Sequence, residues 1–589
     1  MNIIGISAFY HDSSCCLLQD GKLVAAASEE RFTRIKHDAR LPSQAFRYCL
    51  AQAGLSPNDI DCIAYYESPV KKVGRQLAFS SQLRDKHAFS WLDHRMPLQM
   101  IHEKFGYDGQ IFQYDHHLSH AASAFYYSGF KHSAIFTVDG VGEWTTTGYG
   151  NGDLDEISLF ETVDFPHSLG LLYATITAFL GFRVNEGEFK VMGLASYGQP
   201  KYLSELRELI EIRSKGQYRL NLKYFDFLAG TQMFSDELAD LLHLDPRTPE
   251  AEITADHQNL ARSVQLLIEE ILLMKTSYLK EITGKKNLVM AGGVALNAVA
   301  NARIRRESGF RDIFIQPASG DAGGCLGAAA LAHYQLTGKR HSTKRLSSLY
   351  LGPKYSNREI KNILRATGIE AEEFISQEDD LIDKAVDRLL TGEIIGWFQG
   401  RMEFGPRALG ARSILANPLL PDIQARINKV VKKRESFRPF APVILWPYHE
   451  QFFDLNHHVP FMIETCSVIA QNELPGITHI DGTARPQTLK EEENPRLAKL
   501  IDSFYRRSGY PILVNTSFNQ RGDPIVCSPI DALFCMGNSL IDVLILEDFL
   551  ITRENLPENW PQIIEDWNTE NHYLKSQSSQ GLDNLYSLF

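Results

Sequence analysis

The sequence predicts an α/β protein in two parts, the first of them internally duplicated. Residues 3–8, 14–19 and 22–28 read as three short strands, with Asp20-Gly21 as the hairpin turn between the last two and Phe9-Tyr10-His11-Asp12-Ser13 as the loop between the first two. The order returns at 134–138, the loop Asp139-Gly140-Val141-Gly142-Glu143, 145–149, a turn at Gly152-Asp153, and 157–163. A polar, basic stretch from Thr337 to Arg345 then separates apolar regions and sets the main boundary, giving domains at 1–345 and 346–589.

The remaining elements follow from periodicity. Helices are expected at 119–127, 171–180 and 255–282, the last because Leu260, Val264, Leu267, Ile268, Ile271 and Leu272 recur at helical spacing. A buried-type strand runs into Gly292-Gly293 and opens a helix. Beyond the boundary, 381–390 reads as an amphipathic helix and 394–398 and 512–514 as buried strands, so the second half is mixed α/β. The Ser- and Gln-rich tail from Lys575 predicts poor order.

Composition narrows the function. A chain of 589 residues with 44% hydrophobic and 22% charged residues can bury several domain-sized cores. The 60 Lys and Arg against 72 Asp and Glu leave a net charge of −12, which disfavours nonspecific binding to nucleic acid or anionic membranes. Eight cysteines without a C-x-x-C pair suggest neither a zinc ribbon nor a disulfide framework and suit a reducing compartment. With no leader pattern and no run of ~18 apolar residues, a cytoplasmic protein is expected. G-x-S-x-G, H-E-x-x-H and Walker A strings are absent, removing the simplest support for serine hydrolase, zincin and P-loop chemistry.

Four polar residues could share a metal ion. His116 and His120 stand four apart, on one face of a helix, and Asp139 and Asp321 each sit where a strand gives way to a Gly-rich loop. Such histidines also occur as capping or surface clusters, and such aspartates as turn residues. Gly292-Gly293 ahead of a helix either brings backbone amides to a phosphate or makes a tight turn. In the second half Arg401, Arg407 and Arg412, then Lys432, Arg434 and Arg438, are interleaved with Gly, Pro and aromatic residues, as in a rigid pocket for a small phosphate or carboxylate. Arg485 and the string Asn515-Thr516-Ser517-Phe518-Asn519 add further donors.

The duplicated strand-loop-strand pattern resembles the two halves of the actin and sugar-kinase superfamily. Taken with His11-Asp12-Ser13, Ser28 to Arg34, His116 to His120, Asp139 to Glu143, Gly187 to Ala195, Gly292 to Asn297, the two Arg-rich strings and Asn515 to Asn519, the chain resembles the O-carbamoyltransferases of the NodU/CmcH type, enzymes of antibiotic and other secondary-metabolite biosynthesis. That resemblance implies an actin/sugar-kinase-like amino-terminal domain and a YrdC-like carboxyl-terminal domain. It implies that carbamoyl phosphate and ATP, with Mg²⁺, form carbamoyl-adenylate, whose carbamoyl group passes to a hydroxyl of a small-molecule acceptor. Carried over, His116, His120, Asp139 and Asp321 would hold Fe(II) or another divalent transition metal. His11 would be the general base, with Asp12 and Lys36 beside it among the catalytic residues. Gly140, Gly292, Gly293 and Asn297 would bind the nucleotide. Arg407, Lys432, Arg434, Arg438, Arg485, Asn515, Ser517 and Asn519 would bind carbamoyl phosphate and the ATP phosphates. Acceptor choice is expected in the loops 67–97 or 201–248, and a homodimer is the assembly considered. Threonylcarbamoyl transfer to tRNA and a noncatalytic nucleotide-binding regulator are the competing readings; a hydrogenase-maturation carbamoyltransferase is set aside for want of paired C-x-x-C motifs.

Overall fold

Strand β1 (Asn2–Ser7), buried from Ile3 onward, is the central strand of a five-stranded sheet. On one side β2 (Ser14–Gln19) and β3 (Lys22–Ser28) fold back as antiparallel neighbours, and on the other β4 (Cys62–Tyr65) and β5 (Gln110–Gln113) add in parallel. The computed structural model describes residues 1–79, 93–228, 232–432, 434–563 and 565–566. The tail expected to be poorly ordered lies outside them, as do parts of both expected acceptor loops.

A second five-stranded sheet repeats this plan. Strands β6 (His132–Val138), β7 (Thr145–Asp153) and β8 (Glu156–Asp164) form the antiparallel meander. After a small hairpin, β9 (Ile210–Ile212) with β10 (Tyr218–Leu220), strands β11 (Asn287–Ala291) and β12 (Asp312–Ile315) extend the sheet in parallel from β6. The orders are β3-β2-β1-β4-β5 and β12-β11-β6-β7-β8, the same connectivity twice. The duplication in the sequence is therefore a duplication of topology, and His11, Asp139, Gly292 and Asp321 all follow the carboxyl ends of strands, where open α/β sheets present their clefts.

The second meander departs from expectation at its turn. Gly152 and Asp153 are inside β7, and the reversal falls at Leu154, with φ 56°. The reason is packing: a Cβ on Gly152 would stand 2.4 Å from the Phe125 ring, and one on Gly148 2.6 Å from Thr137 Oγ1. Gly152 lets helix α1 (His116–Phe125) lie close against the sheet, and Gly148 leaves room for Thr137 on the neighbouring strand β6. On its other side α1 meets α2 (Gly324–Thr337) so closely that a Cβ on Gly327 would come within 1.8 Å of the Ser119 carbonyl.

The described residues form two compact units, one comprising Met1–Glu29 and His37–Leu346, the other Glu30–Lys36 and the described residues after Leu346. In the second, β13 (Glu372–Glu373), β14 (Ile395–Phe398), β15 (Arg412–Ala416), β16 (Ala441–Leu445), β19 (Gln487–Leu489), β20 (Ile512–Ser517), β21 (Val543–Leu546) and β22 (Phe549–Thr552) make a mixed sheet in the order β13-β22-β21-β14-β15-β20-β16-β19. A separate ribbon joins β17 (Cys466–Ser467) to β18 (Thr483–Ala484). Alternation along β14 sends Ile395 and Trp397 into the core beneath helices Glu378–Leu390 and Pro495–Ser508, and Phe398 into the core on the opposite face. Among the described residues no helix is long and apolar enough to cross a membrane.

Candidate metal centre and anion site

Asp115, in extended conformation, starts α1, and one turn later the helix places the His116 and His120 imidazoles on one face. Their Nε2 atoms lie 3.0 Å apart, and Asp139 Oδ2 is 3.0 Å from the first and 3.1 Å from the second. Asp321 Oδ1 approaches from the start of the Asp321–Gly323 turn, at 3.6 and 3.7 Å. All four residues are buried, and neither carboxylate oxygen of Asp321 makes a hydrogen bond. Two nitrogen lone pairs and two carboxylates converging on one point, with one carboxylate left unsatisfied, fit a divalent transition ion of the kind imidazole and carboxylate ligands hold.

The electrostatics agree with that fit. Burial opposes charge on Asp139, but the two imidazoles outweigh it and hold its carboxyl well below the ordinary range. Burial likewise opposes a charged His120, and Asp139 and Asp321 overcome it, lifting the imidazole to about 9. His117, whose Nδ1 meets Thr137 Oγ1 at 2.7 Å, is pushed down by burial and by its two histidine neighbours.

His11 borders the centre, its Nε2 3.7 Å from Asp321 Oδ2 and its Nδ1 3.0 Å from Asp12 Oδ2. Burial disfavours its charge, yet Asp321 and Asp12 together raise it to about 10. Asp12 also meets His37 Nδ1 at 2.6 Å. The loop holds Phe9 and Asp12 at φ 68° and 55°, left-handed conformations that cost a non-glycine residue about 1 kcal/mol or more and gather at functional sites.

Gly293 donates its N–H to Asp139 Oδ1 at 2.9 Å, and Gly292, at φ 99°, approaches β6 so closely that a Cβ would lie 2.1 Å from the Val138 carbonyl. Gly140 offers its carbonyl to Ser168 Oγ at 2.6 Å. The Asn297 side chain caps the helix Ala298–Glu307 through Ala300 N and exchanges two 3.0 Å hydrogen bonds with Gln265.

Sequence reasoning missed Glu143. Its buried carboxylate accepts from Ser68 N at 2.6 Å and from His116 N at 2.9 and 3.1 Å. The Nδ1 atoms of His116 and His120 have no partner, so the rings are placed by the helix backbone, and Glu143 fixes the first turn of that helix. The available signal was the acidic end of the Asp139–Glu143 loop.

In the second unit Arg485 is within electrostatic reach of Arg407, Arg434 and Arg438. Burial first, and then these neighbours, depress Arg434 and Arg485 far below the guanidinium range, and Arg407 falls to about 10. Glu435 partly compensates, 3.5 Å from Arg438. Arg434 Nε donates to Asn428 Oδ1 at 2.8 Å and its guanidinium lies over Phe440. Lys432 is buried; its ammonium donates to the carbonyl oxygen of Ser517, to Ser517 Oγ at 3.2 Å and to Asn519 O and Oδ1 at 3.0 and 2.8 Å. Lys36 groups with this unit and adds to the positive potential at Lys432.

Two arginines of the same string have structural work. Arg412, fully buried over the Phe398 ring, donates to the carbonyls of Gln399, Gly400, Ala411 and Pro353 at 2.9 to 3.2 Å, and Arg401 donates to those of Gly352 and Leu351. Spacing did not separate them from Arg407, because which guanidinium meets carbonyls and which meets other cations depends on where strands β14 and β15 carry the loop between them. Glu403 organises that loop, accepting from Leu409 N and Ala411 N at 2.8 and 2.7 Å.

Comparison with known proteins accounts for both parts. The Carbamoyltransferase N-terminus family model matches residues 2–330, and the Carbamoyltransferase C-terminus model residues 386–553. An uncharacterized protein of Synechocystis sp. is 41% identical over 95% of this chain and 97% of its own length. Nodulation protein NolNO of Sinorhizobium fredii is 38% identical over 95% of this chain and 81% of its own. The 3'-hydroxymethylcephem-O-carbamoyltransferase of Amycolatopsis lactamdurans is 31% identical over 44% of this chain and 47% of its own. Among solved structures, T. kodakarensis HypF aligns with 59% of this chain and 50% of its own at 14% identity and a TM-score of 0.32. The chain belongs to the carbamoyltransferase family of enzymes.

Proposed function

We propose that the protein is an ATP-dependent O-carbamoyltransferase acting on a hydroxyl of a small molecule. Carbamoyl phosphate, ATP and water give carbamoyl-adenylate, phosphate and pyrophosphate in the second, YrdC-like unit. The acceptor hydroxyl then attacks the carbamoyl carbon in the first, actin/sugar-kinase-like unit, releasing AMP, while the hydroxyl proton goes to His11. The observation that carries the reading is a pair of constellations of opposite sign: a metal-seeking His₂Asp₂ set with an unsatisfied carboxylate, and a cluster of buried guanidinium groups that depress one another.

His116, His120, Asp139 and Asp321 would hold the metal, a divalent transition ion for which the family resemblance suggests Fe(II). When bound, such a cation supplies Lewis-acid polarisation and neutralises charge on the acyl phosphate. With that ion in place Asp321 would attract His11 less, which would bring the imidazole toward the neutral form a general base requires. Gly292 and Gly293, which carry no side chains, would let a nucleotide approach the backbone there, and the adenosine would provide binding energy that orients the carbonyl. Arg407, Arg434, Arg438 and Arg485 would take the carbamoyl phosphate and nucleotide phosphates, which supply the missing negative charge. Eight free, buried thiols suit a reducing, cytoplasmic setting.

Pyrophosphate release from ATP, measured with and without carbamoyl phosphate in the presence of Fe(II) and Mg²⁺ and with no acceptor, tests the proposal. Release that depends on carbamoyl phosphate is expected, and Arg485→Ala should abolish it while leaving bound metal unchanged. Metal-loaded, folded protein that releases none would overturn the adenylate step.

A further inference from the structure

Buried Asn428 pins the loop that carries Arg434 and Arg438. Its Oδ1 accepts from Arg434 Nε at 2.8 Å and its carbonyl from Arg434 N at 3.0 Å, while its Nδ2 donates to the carbonyls of Ser436 and Arg438 at 3.2 and 2.8 Å. The loop turns at Glu435, whose carbonyl accepts from Arg438 N at 3.3 Å. With the backbone held, the Glu435 carboxylate is presented to two guanidinium groups. Its Oε2 lies 3.5 Å from Arg438 Nη1, and its Oε1 lies 3.8 Å from Nη2 of Arg521, which follows the Asn515–Asn519 string by two residues.

One oxygen faces each arginine, as two oxygens of a single phosphate group would. Both contacts exceed the roughly 2.7–2.9 Å of a tight charge-assisted pair, so the carboxylate is placed to be exchanged. Burial opposes the charges of Arg434 and Arg438, and Glu435 works against burial at both. A phosphate arriving at Arg438 therefore meets a like charge already there, and a like charge at that range either moves away or weakens the newcomer. Arg521 offers the place to move to: its side chain is 37% exposed against 14% for Arg438, so a carboxylate that leaves Arg438 stays paired at the rim.

We propose that Glu435 is an internal counter-ion that an incoming phosphate group displaces from Arg438 toward Arg521, and that it thereby lowers the affinity of the site for phosphate and pyrophosphate; this rests on the anion-site reading given above. Glu435 is a positioning residue, acting on the ligand through the arginines. The device answers a problem that a cluster of arginines creates, since both products of adenylate formation carry the group that the cluster holds, and without a competing carboxylate they would be slow to leave.

Calorimetric titration of the full chain with inorganic phosphate and with pyrophosphate tests this. Glu435→Gln should bind each at least tenfold tighter at low ionic strength, and the gain should shrink at about 0.5 M salt. A gain in affinity cannot come from misfolding. Glu450→Gln, which removes one carboxylate from an exposed position on the short helix His449–Phe452, should bind within about twofold of the original chain. Arg521→Gln should weaken phosphate binding in the original chain and weaken it less in Glu435→Gln, because the second anchor then has no carboxylate to receive. Unchanged or weaker binding by Glu435→Gln, in a chain that does bind phosphate, overturns the inference and leaves the anion site standing. An equal gain in Glu450→Gln overturns it too, by reducing the effect to net charge. Failure of both probes to bind the original chain and Glu435→Gln would overturn the anion site itself, and this inference with it.

Discussion

Arg407→Met should make the ligand-free protein more stable. Arg407 is pushed down from the ordinary guanidinium range to about 10, by burial first and by Arg438 second. At 1.36 kcal/mol per unit this sets about 3 kcal/mol against the charged form. The side chain retains some exposure, and solvent screening brings the usable figure to about 1–2 kcal/mol. For a base depressed on folding, the cost is fully present below about pH 10, where both states are protonated, and disappears as pH rises toward the ordinary guanidinium range. At pH 7.5 the variant keeps much of the aliphatic stem and sheds the charge, gaining those 1–2 kcal/mol. Phosphate should reverse the ranking, since a ligand at a hundred times its dissociation constant stabilises by about 2.7 kcal/mol and the variant binds it less well. Urea unfolding read by hydrogen exchange in β14, β15 and β20 reports on this unit without assuming that the whole chain unfolds in one step. A variant less stable than the original at low phosphate, or one stabilised equally by phosphate, would refute the view that these cations repel one another while awaiting an anion.

Asp321→Asn should cost the metal-free protein stability at neutral pH, because His11 and His120 lose an attraction that helps keep them charged, while Co(II) affinity, followed by visible absorption, should drop at least a hundredfold. Glu143→Ala strands the N–H groups of Ser68 and His116, each bonded to a charged acceptor worth about 1.5–3 kcal/mol, so chemical denaturation should show a loss of about 3–5 kcal/mol, with metal affinity reduced ten- to hundredfold. Gly292→Ala forces a Cβ to 2.1 Å from the Val138 carbonyl at φ 99°, and a melting curve should show destabilisation of more than about 2 kcal/mol.

Local chemistry was enough to place much of this protein from its sequence. Strands 14–19 and 22–28 and the helix from Ala255 are set by side-chain periodicity and turn residues, which act over a few positions. The pairing of His116 with His120 was legible for the same reason, since helix geometry fixes their spacing in advance. The turn after β7 was misplaced because its glycines serve a distant phenylalanine, Phe125, and not a local reversal.

What only the tertiary structure decided lies across long sequence separations. Asp321, some two hundred residues from His120, reaches it because α2, which begins just after Asp321, packs closely against α1, which carries His120. Arg412 donates to backbone carbonyls while Arg407, five residues before it, is depressed by burial and by Arg438, and Glu143 acts through hydrogen bonds to residues that no spacing rule connects to it. Composition and periodicity specify which faces are buried. The identity of the atoms that meet once they are buried follows from strand order and register, which emerge only when the whole sheet has closed.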